Sequence, residues 1–320
     1  MRILTGIQPS GKLHWGNYFG AMKSMFDLQA QGKEIFMFIA NYHAMTTVRD
    51  GAALREQTRD VALDYLACGL DPEKSIIYRQ SDVMEVQELA WFLSCLTPMG
   101  LLERCHSYKD KLAHGLEATH GLFAYPVLMA ADILIMNADL VPVGKDQKQH
   151  LEVTRDLAQK FNNAFGEIFK LPDAYIPETV ATIPGTDGQK MSKSYHNAIE
   201  LFEPNGSIKK KVMGIVTDSK TMEEPKEPEG NAIYELYKLF ATPDEVAEMA
   251  ANFRAGNYGY GHAKKALLEA YHRLFDPFRA RREELAKDTD TLEDILKAGA
   301  EKARAAAMAT MEKVRTAVGL

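Results

Sequence analysis

Short apolar runs alternate with helix-length segments through the first 80 residues, and this alternation restricts the possible folds more than any other feature of the chain. Residues 35–40 read IFMFIA, an uninterrupted apolar run typical of a strand covered by helices on both faces of a parallel sheet. Further strands are predicted at residues 2–5, 75–78 and 140–143, with helices beginning near Trp15 and spanning residues 53–68. The pattern predicts an α/β fold, a Rossmann-like doubly wound parallel sheet that binds ligands at the carboxyl ends of its strands.

The remaining sequence favours helices. Residues 86–137, between the third and fourth predicted strands, are mostly helical in pattern and indicate a helical insertion. Beyond residue 205 an acidic, Pro-containing stretch at 223–230 reads as an exposed loop, and most of residues 231–320 favour helix. Because 320 residues exceed the usual size of one domain, we predict two units. The first is a Rossmann-like domain of residues 1–205, and the second is an all-helical C-terminal domain of residues 206–320.

The net charge of −6 argues against a protein that coats nucleic acid nonspecifically, since such binding depends on neutralising phosphates. Local basic faces are still possible at residues 209–211 and at Arg279, Arg281 and Arg282, although such a run taken alone is more often a solvated helix face. No apolar run approaches the length of about 20 residues that a membrane span needs. Three cysteines without Cys-x-x-Cys spacing suggest neither a disulfide framework nor a zinc site. We therefore expect a soluble cytoplasmic protein without a metal centre.

Residues 6–17, GIQPSGKLHWGN, form a glycine-containing turn between the first strand and the first helix. Glycines and a helix N-terminus let backbone amides approach phosphate oxygens, and His14 and Asn17 add side-chain donors. These donors can stabilise charge that develops on an α-phosphate during in-line attack. The alternative is an ordinary packed or exposed histidine in a strand-to-helix turn.

Residues 190–194, KMSKS, form a second candidate phosphate loop far downstream of the first. Lys190 and Lys193 are three residues apart, between serines and after a glycine-rich turn, so a flexible loop can bring two ammonium groups to a leaving pyrophosphate. The alternative is a solvated surface loop. The five-residue identity, combined with the first loop, favours an ATP site.

The two loops together resemble the ATP site of class I aminoacyl-tRNA synthetases, in which a His-x-Gly-His or His-x-Gly-Asn element precedes a mobile Lys-Met-Ser-Lys-Ser loop. Residues 5–11, 124–134 and 141–152 extend the resemblance over most of the chain to the bacterial tryptophanyl-tRNA synthetases. The resemblance implies ATP-dependent activation of L-tryptophan to tryptophanyl-adenylate, transfer to tRNA(Trp), and release of AMP and pyrophosphate. ATP would act as a substrate with Mg²⁺, without a protein-bound prosthetic group. Residues 206–320 would bind the anticodon, and the enzyme would be a homodimer.

The resemblance also implies roles for individual residues at matching positions. The expected catalytic residues are His14, Asn17, Lys111, Lys190 and Lys193. The expected ATP-binding residues are Gln8, Pro9, Ser10, Gly16, Asn17, Gly144, Lys145, Asp146, Ile183, Lys190, Met191, Ser192, Lys193 and Ser194. The expected tryptophan-binding residues are Asp132, Tyr125, Met129, Gln147 and His43. Asp132 is expected to accept the indole N–H, because a carboxylate between Ala131 and Ile133 would be costly to bury without a donor.

Several positions depart from the family pattern. Lys145 replaces a common glutamate, Asn41 and Tyr42 replace a frequent Asp-Gln pair, and Trp15 and Leu4 could alter nucleotide or indole packing. Three alternatives stay open: a tyrosyl-specific ligase of the same subclass, a noncatalytic paralogue that binds tryptophan or RNA, and a nucleotidylyltransferase with a similar first loop. The lysines of the second loop disfavour the noncatalytic paralogue, and the long helical C-terminal part disfavours the nucleotidylyltransferase.

Overall fold

The computed structural model describes residues 1–105, 108, 115, 117–144, 148–175 and 183–320. Within these ranges a parallel sheet has five strands in the order β3-β2-β1-β4-β5. The strands are β1 (Arg2–Ile7), β2 (Glu34–Ile39), β3 (Ser75–Arg79), β4 (Leu140–Pro142) and β5 (Asp173–Tyr175). The doubly wound parallel sheet expected from the alternating pattern is confirmed.

The strand order reverses between β1 and β4, so the two halves of the sheet diverge at this point. In doubly wound sheets a crevice opens outside the carboxyl ends of the strands at such a reversal. Strand β2 is buried at every position from Ile35 to Ile39, as its unbroken apolar sequence predicts. The four predicted strands agree with the observed bounds to within about two residues, the usual margin for strand ends. Strand β5 was not predicted, because its three residues DAY carry no apolar run.

Helices cover the sheet and form the insertion. The N-terminal helices are α1 (Trp15–Asn17), which continues through a π-helical turn (Tyr18–Met22) into α2 (Lys23–Ala30), then α3 (Asn41–Ala44) and α4 (Gly51–Cys68). Within its described residues, the expected insertion contains α5 (Glu85–Leu96), α6 (Met99–Glu103) and α7 (His120–Ile135). Helix α8 (Lys148–Phe165) follows β4. Of the described helices, none is long and apolar enough to cross a membrane.

The C-terminal part is helical, as predicted. It contains α9 (Asn205–Met213), α10 (Ala232–Phe240), α11 (Pro243–Ala255), α12 (Tyr260–Lys287) and α13 (Thr289–Val318). The acidic segment at 223–230 has no helix or strand, but it is not wholly exposed as expected. The buried Lys226 donates its Nζ hydrogens to the carbonyls of Thr221 at 2.7 Å and Glu224 at 2.8 Å, which shapes the loop from inside.

An aromatic core joins the first helix to the C-terminal helices. The fully buried Trp15 ring lies 4.7 Å from the Phe240 ring and stacks on Tyr271 at 5.3 Å between centroids. Tyr18 contacts Phe275 at 5.0 Å. The hydrophobic core therefore extends across residue 205. The domain boundary predicted at that residue stays a prediction.

Two of the three late arginines considered above as a basic face instead hold α12 to other segments of the chain. Arg282 on α12 pairs with Asp64 and Asp60 of α4, and burial raises the pKa of Asp64 to about 6. Arg279 donates to the carbonyls of Phe202 at 3.1 Å and Glu203 at 2.8 Å. Arg281 alone of these three is exposed to solvent.

Candidate functional site

A cavity of about 430 Å³ lies at the carboxyl ends of β1 and β4, where the strand order reverses. Leu4 and Gln8 line it from β1 and the loop after it, and Gly144 lines it after β4. His43 of α3, with Tyr125 and Met129 of α7, forms another part of the wall. One cavity thus collects residues predicted for ATP and residues predicted for tryptophan.

Backbone hydrogen bonds fix the first loop against the segment after the second loop. Trp15 N donates to Ile199 O at 3.0 Å, and Leu201 N donates to Leu13 O at 2.9 Å. At the start of α1, Asn17 Oδ1 accepts the His14 N–H at 3.0 Å. Asn17 Nδ2 has no protein partner within the described ranges, so this amide can donate to a ligand.

His14 is a buried, neutral imidazole. Its side chain lies over Gly16, where a Cβ atom would be 2.9 Å from the ring, so a side chain at this position would displace it. Burial, followed by the nearby charge of Lys193, lowers the pKa of His14 to about 4. His14 Nδ1 is buried and has no partner among the described residues. The ring therefore offers an unused polar group beside the loop without adding positive charge at neutral pH.

The second loop contacts the first. Met191 is buried and its N–H donates to Ile183 O at 2.8 Å, which anchors the loop. Lys193 Nζ donates to Ser10 O at 3.0 Å, across 183 residues of sequence. Partial burial lowers the pKa of the Lys193 ammonium, while the charges of Glu200 and Asp64 oppose this shift. The structure thus brings together the two loops that the sequence analysis paired.

The other predicted loop residues differ in exposure. Lys190 points outward and is exposed, whereas Ile183 is buried beneath the loop. Ser192 Oγ and Ser194 Oγ share a hydrogen bond of 2.8 Å. Among the predicted lysines of this loop, Lys190 lies on its solvent-exposed side.

Asp132 is buried in α7 and already has donors from the protein. Gln80 Nε2 donates to both carboxylate oxygens at 2.9 and 2.8 Å, and His43 Nε2 lies 2.9 Å from Oδ2. Burial raises the pKa of Asp132, and the hydrogen bond and charge of His43, with the amide of Gln80, oppose that rise. The protein therefore supplies donors of its own to this carboxylate, and the role of Asp132 toward an indole N–H stays a prediction.

Gln80 was missed by sequence reasoning. It is fully buried after β3, and its Oε1 accepts the N–H of Tyr42 at 3.0 Å while its Nε2 holds Asp132. His43 extends the chain of contacts, because its carbonyl accepts Gln8 Nε2 at 3.2 Å. A hydrogen-bonded path thus runs from Asp132 to the first loop. A glutamine at the end of an apolar strand gives no distinctive sequence signal.

Two further polar side chains outside the predicted set shape the site. His150 Nε2 lies 2.7 Å from the Tyr125 hydroxyl, and both residues line the cavity. Asn197 is buried and holds the second loop through its amide group. Asn197 occurs in no motif that would have distinguished it from an ordinary polar residue, whereas His150 lies within the 141–152 segment of the resemblance but was not predicted as a site residue.

The departures from the family pattern have separate locations. Asn41 exchanges two hydrogen bonds with Ser81, of 2.8 and 3.0 Å, which joins α3 to the turn after β3. Leu4 lines the cavity, whereas Trp15 packs in the aromatic core. Four predicted site residues lie outside the described residues: Lys111, Lys145, Asp146 and Gln147. Within the described ranges no group of three His, Cys, Asp or Glu side chains is arranged to hold a metal ion.

Comparison with known proteins places this geometry in a family. Residues 1–276 match the model of the family described as tRNA synthetases class I (W and Y). A curated tryptophan-tRNA ligase from Rhodopirellula baltica is 55% identical over 320 residues, with both chains covered completely. The crystal structure of a Campylobacter jejuni tryptophanyl-tRNA synthetase, complexed with ADP and tryptophan, superposes with a TM-score of 0.95 at 52% identity over all of both chains. The Mycoplasma pneumoniae synthetase gives 0.86 at 33% identity, covering 100% of this chain and 97% of its own.

Proposed function

Because the chain belongs to the class I tRNA synthetases for tryptophan and tyrosine, we propose that the cavity between β1 and β4 activates L-tryptophan with ATP and that the product is transferred to tRNA(Trp). The observation that carries the proposal is the contact of Lys193 Nζ with Ser10 O at 3.0 Å. This contact brings the cationic loop beside the neutral His14, and Gln8, two residues before Ser10, lines the cavity that His43, Tyr125 and Met129 also line.

In the first step the tryptophan carboxylate attacks the α-phosphorus of ATP. The new P–O bond forms as the bond to the bridging oxygen of the β-phosphate breaks, so tryptophanyl-adenylate and pyrophosphate result. Negative charge moves onto the pyrophosphate as it leaves, and Lys190 and Lys193 supply positive charge on that side. His14 and Asn17 Nδ2 act as hydrogen-bond donors to the α-phosphate at the start of α1.

The low pKa of His14 suits this role. A neutral imidazole donates one hydrogen bond without a second cation adjacent to Lys193, so the two groups do not repel at neutral pH. Gly16 leaves room for the ring at the beginning of the helix. The first loop therefore provides donors, and the second provides charge.

In the second step the 2′-hydroxyl of the terminal adenosine of tRNA(Trp) attacks the acyl carbon, and AMP leaves with the bonding electron pair. No covalent intermediate with the enzyme is required. Residues 206–320, the helical C-terminal part, are proposed to contact the anticodon. We also propose that the protein is cytoplasmic and forms a homodimer. The dimer is supported by the exposure of Met84, just before helix α5, and of Trp91 within it, at 60% and 67%; sedimentation of the purified chain measures the oligomeric state directly.

Selection of tryptophan is proposed to depend on Asp132, with His43, Tyr125 and Met129 forming the surrounding wall. Asp132 Oδ1 accepts only the Gln80 amide within the described ranges, which leaves it capacity for an indole N–H. An indole N–H would fill this remaining acceptor capacity, which a side chain without a donor leaves unused. ATP is proposed to enter with Mg²⁺ on its phosphates, the common mode for this ion, and without any prosthetic group.

The proposal is tested by ATP–pyrophosphate exchange with the purified chain, comparing L-tryptophan with L-tyrosine. We expect exchange that depends on tryptophan and falls about 100-fold or more in Lys193→Ala, the scale of losing one charge-stabilising donor. Asp132→Asn, which keeps the side-chain size, should raise the KM for tryptophan. Lys160→Ala is the matched control, because Lys160 is an exposed lysine on α8 without a contact to the cavity.

The alternatives give different results in the same assay. Exchange that depends on tyrosine would establish the tyrosyl ligase instead. Tryptophan binding without exchange would establish the noncatalytic paralogue. Equal losses in Lys193→Ala and Lys160→Ala would remove the second loop from the mechanism.

A further inference from the structure

We propose that Asn197 is a positioning residue of the synthetase reaction, holding the second loop so that Lys190 and Lys193 project toward the phosphates. The inference rests on the proposed function of that loop. Asn197 lies four residues after Lys193 and is 2% exposed. Nothing in its sequence context separates it from an ordinary loop asparagine.

The Asn197 amide grips the loop backbone on both sides of Met191. Its Oδ1 accepts the N–H of Ser192 at 2.8 Å, and its Nδ2 donates to the carbonyl of Lys190 at 3.0 Å. Met191 itself is tied by its own N–H to Ile183 O at 2.8 Å and is buried. The peptide units between the two lysines are therefore fixed, whereas the lysine side chains remain outside.

The second hydrogen of Asn197 Nδ2 extends the grip to the preceding turn. It is donated to Asp187 Oδ1 at 2.7 Å, and this hydrogen bond is the largest cause of the lowered pKa of Asp187. The Asn197 carbonyl accepts the N–H of Thr186 at 2.9 Å. Both amide hydrogens and the amide oxygen of one buried side chain are thus engaged, a set that only asparagine provides at this length.

Gly185 makes the close approach possible. A Cβ atom at this position would lie 2.4 Å from Asn197 Cγ and 2.5 Å from Nδ2, with the Asn197 carbonyl oxygen at 2.7 Å. Contacts this short require the amide or the turn to move. Gly185 and Asn197 therefore form one structural unit, and substitution of either should disturb the same grip.

The role has a specific kinetic signature. The candidate tryptophan wall is formed by α3 and α7, to which Asn197 makes no hydrogen bond within the described part of the chain. Loss of these hydrogen bonds should therefore lower kcat and raise the KM for ATP, because the backbone that carries the two lysines is no longer held in one position. The KM for tryptophan should stay nearly constant.

The experiment measures exchange kinetics and the thermal unfolding temperature for Asn197→Ala, Asn197→Asp and Gly185→Ala. We expect kcat/KM for ATP to fall about 10-fold to 100-fold in each, within the range of losing preorganised donors, with the KM for tryptophan changed less than about twofold. Asn197→Asp should be among the most affected, because it sets a second acceptor against Asp187 Oδ1 and the Lys190 carbonyl. Adding Asp187→Asn to this variant places an amide donor opposite the new carboxylate at position 197. The double variant should therefore recover part of the lost kcat/KM for ATP. Tyr195→Phe, an exposed change in the same loop, is the control.

A second measurement does not depend on activity. Hydrogen exchange of the Ser192 amide should be slow in the unaltered chain and faster by about 10-fold or more in Asn197→Ala, because this N–H loses its acceptor. If the unaltered chain shows no pyrophosphate exchange, the proposed function fails, and the Ser192 amide still tests the grip. Unchanged kcat/KM for ATP in Asn197→Ala with an active parent would overturn the inference, as would a parallel rise in the KM for tryptophan.

Discussion

At the scale of single residues, His14 shows how burial selects a protonation state. The imidazole is 8% exposed, and the first cause of its lowered pKa is the loss of water around it. The charge of Lys193 acts in the same direction. The unfolded chain has no such burial, so its histidine keeps the ordinary pKa of about 6.5.

This difference predicts a pH dependence of stability. Between pH 6.5 and about 4 the unfolded chain binds a proton at His14 that the native chain does not, so acidification favours unfolding. The free energy of unfolding should fall by about 3 kcal/mol from this residue as the pH drops through that window. Denaturant unfolding at several pH values gives the unfolding free energies of the unaltered chain and of His14→Gln. The contribution of His14 is the difference between them. The difference is needed because Asp64, whose pKa is raised to about 6, has the opposite dependence. Parallel stability curves for the two chains would contradict the assignment.

The residues that sequence reasoning found and missed differ in how they act. His14, Ser10 and Lys193 occur in short motifs that persist as local patterns, and the structure places them together. Gln80 and Asn197 act through contacts 52 and five residues away in sequence, and a single buried amide has no periodicity or spacing to mark it. Asp132 was predicted from the resemblance and stays a prediction, and its contact with Gln80 could not be inferred before the end of β3 was placed beside α7.

At the scale of elements, the last helix acts as a cover for the edge of the sheet. Strand β3 is the outermost strand on its side, and α13 packs directly on it. Arg304 and Arg315 of α13 pair with Glu85 and Glu88 of α5, which ties the insertion to the same helix. An open strand edge is prone to pairing with other chains, and this helix covers it.

A substitution at the contact should be costly. A Cβ atom at Gly299 would lie 1.8 Å from the Ile77 carbonyl oxygen, so Gly299→Ala must push α13 away from β3. We expect a loss of roughly 2–3 kcal/mol in unfolding free energy, the range of overpacking. Gly261→Ala on α12 is the matched control, because no described atom lies within 4 Å of its Cβ position and alanine favours helix. It should stabilise the chain by up to about 1 kcal/mol. Equal stability of the two variants in urea would refute the proposed contact.

Elements with strong patterns were predicted well, and short ones were not. Strands β1 to β4 can be recognised in the sequence from their apolar residues, because both faces of a parallel sheet are buried. Strand β5 pairs with β4 through three residues whose side chains are mostly exposed, so its position is set by the partner strand and not by its own sequence. The π-helical turn at Tyr18–Met22 likewise has no sequence signal.

At the scale of the whole molecule, the hydrophobic core extends across the domain boundary that the sequence predicts at residue 205. Trp15 and Tyr18, from the first helical segment, lie against Phe240, Tyr271 and Phe275 of the C-terminal helices. Apolar residues occur on both sides of residue 205, so the sequence could not reveal how much apolar surface is shared. The two predicted units therefore depend on each other for burial.

This sharing predicts the behaviour of a truncated chain. Residues 1–205 alone would expose Trp15 and the helix face around it, and this large loss of apolar burial should prevent cooperative folding. Circular dichroism during thermal unfolding measures it, with the full chain as the reference. A truncated chain that unfolds in a single sharp transition, with Trp15 fluorescence still characteristic of a buried indole, would show that the parts are independent.

The aromatic core also connects the fidelity of this enzyme to its own production. The chain contains two tryptophans, and the one at position 15 is fully enclosed by the rings around it. A tRNA(Trp) charged in error with a smaller amino acid would insert that residue there during translation, leaving a cavity and a weaker fold. An inaccurate synthetase would thus build fewer stable copies of itself.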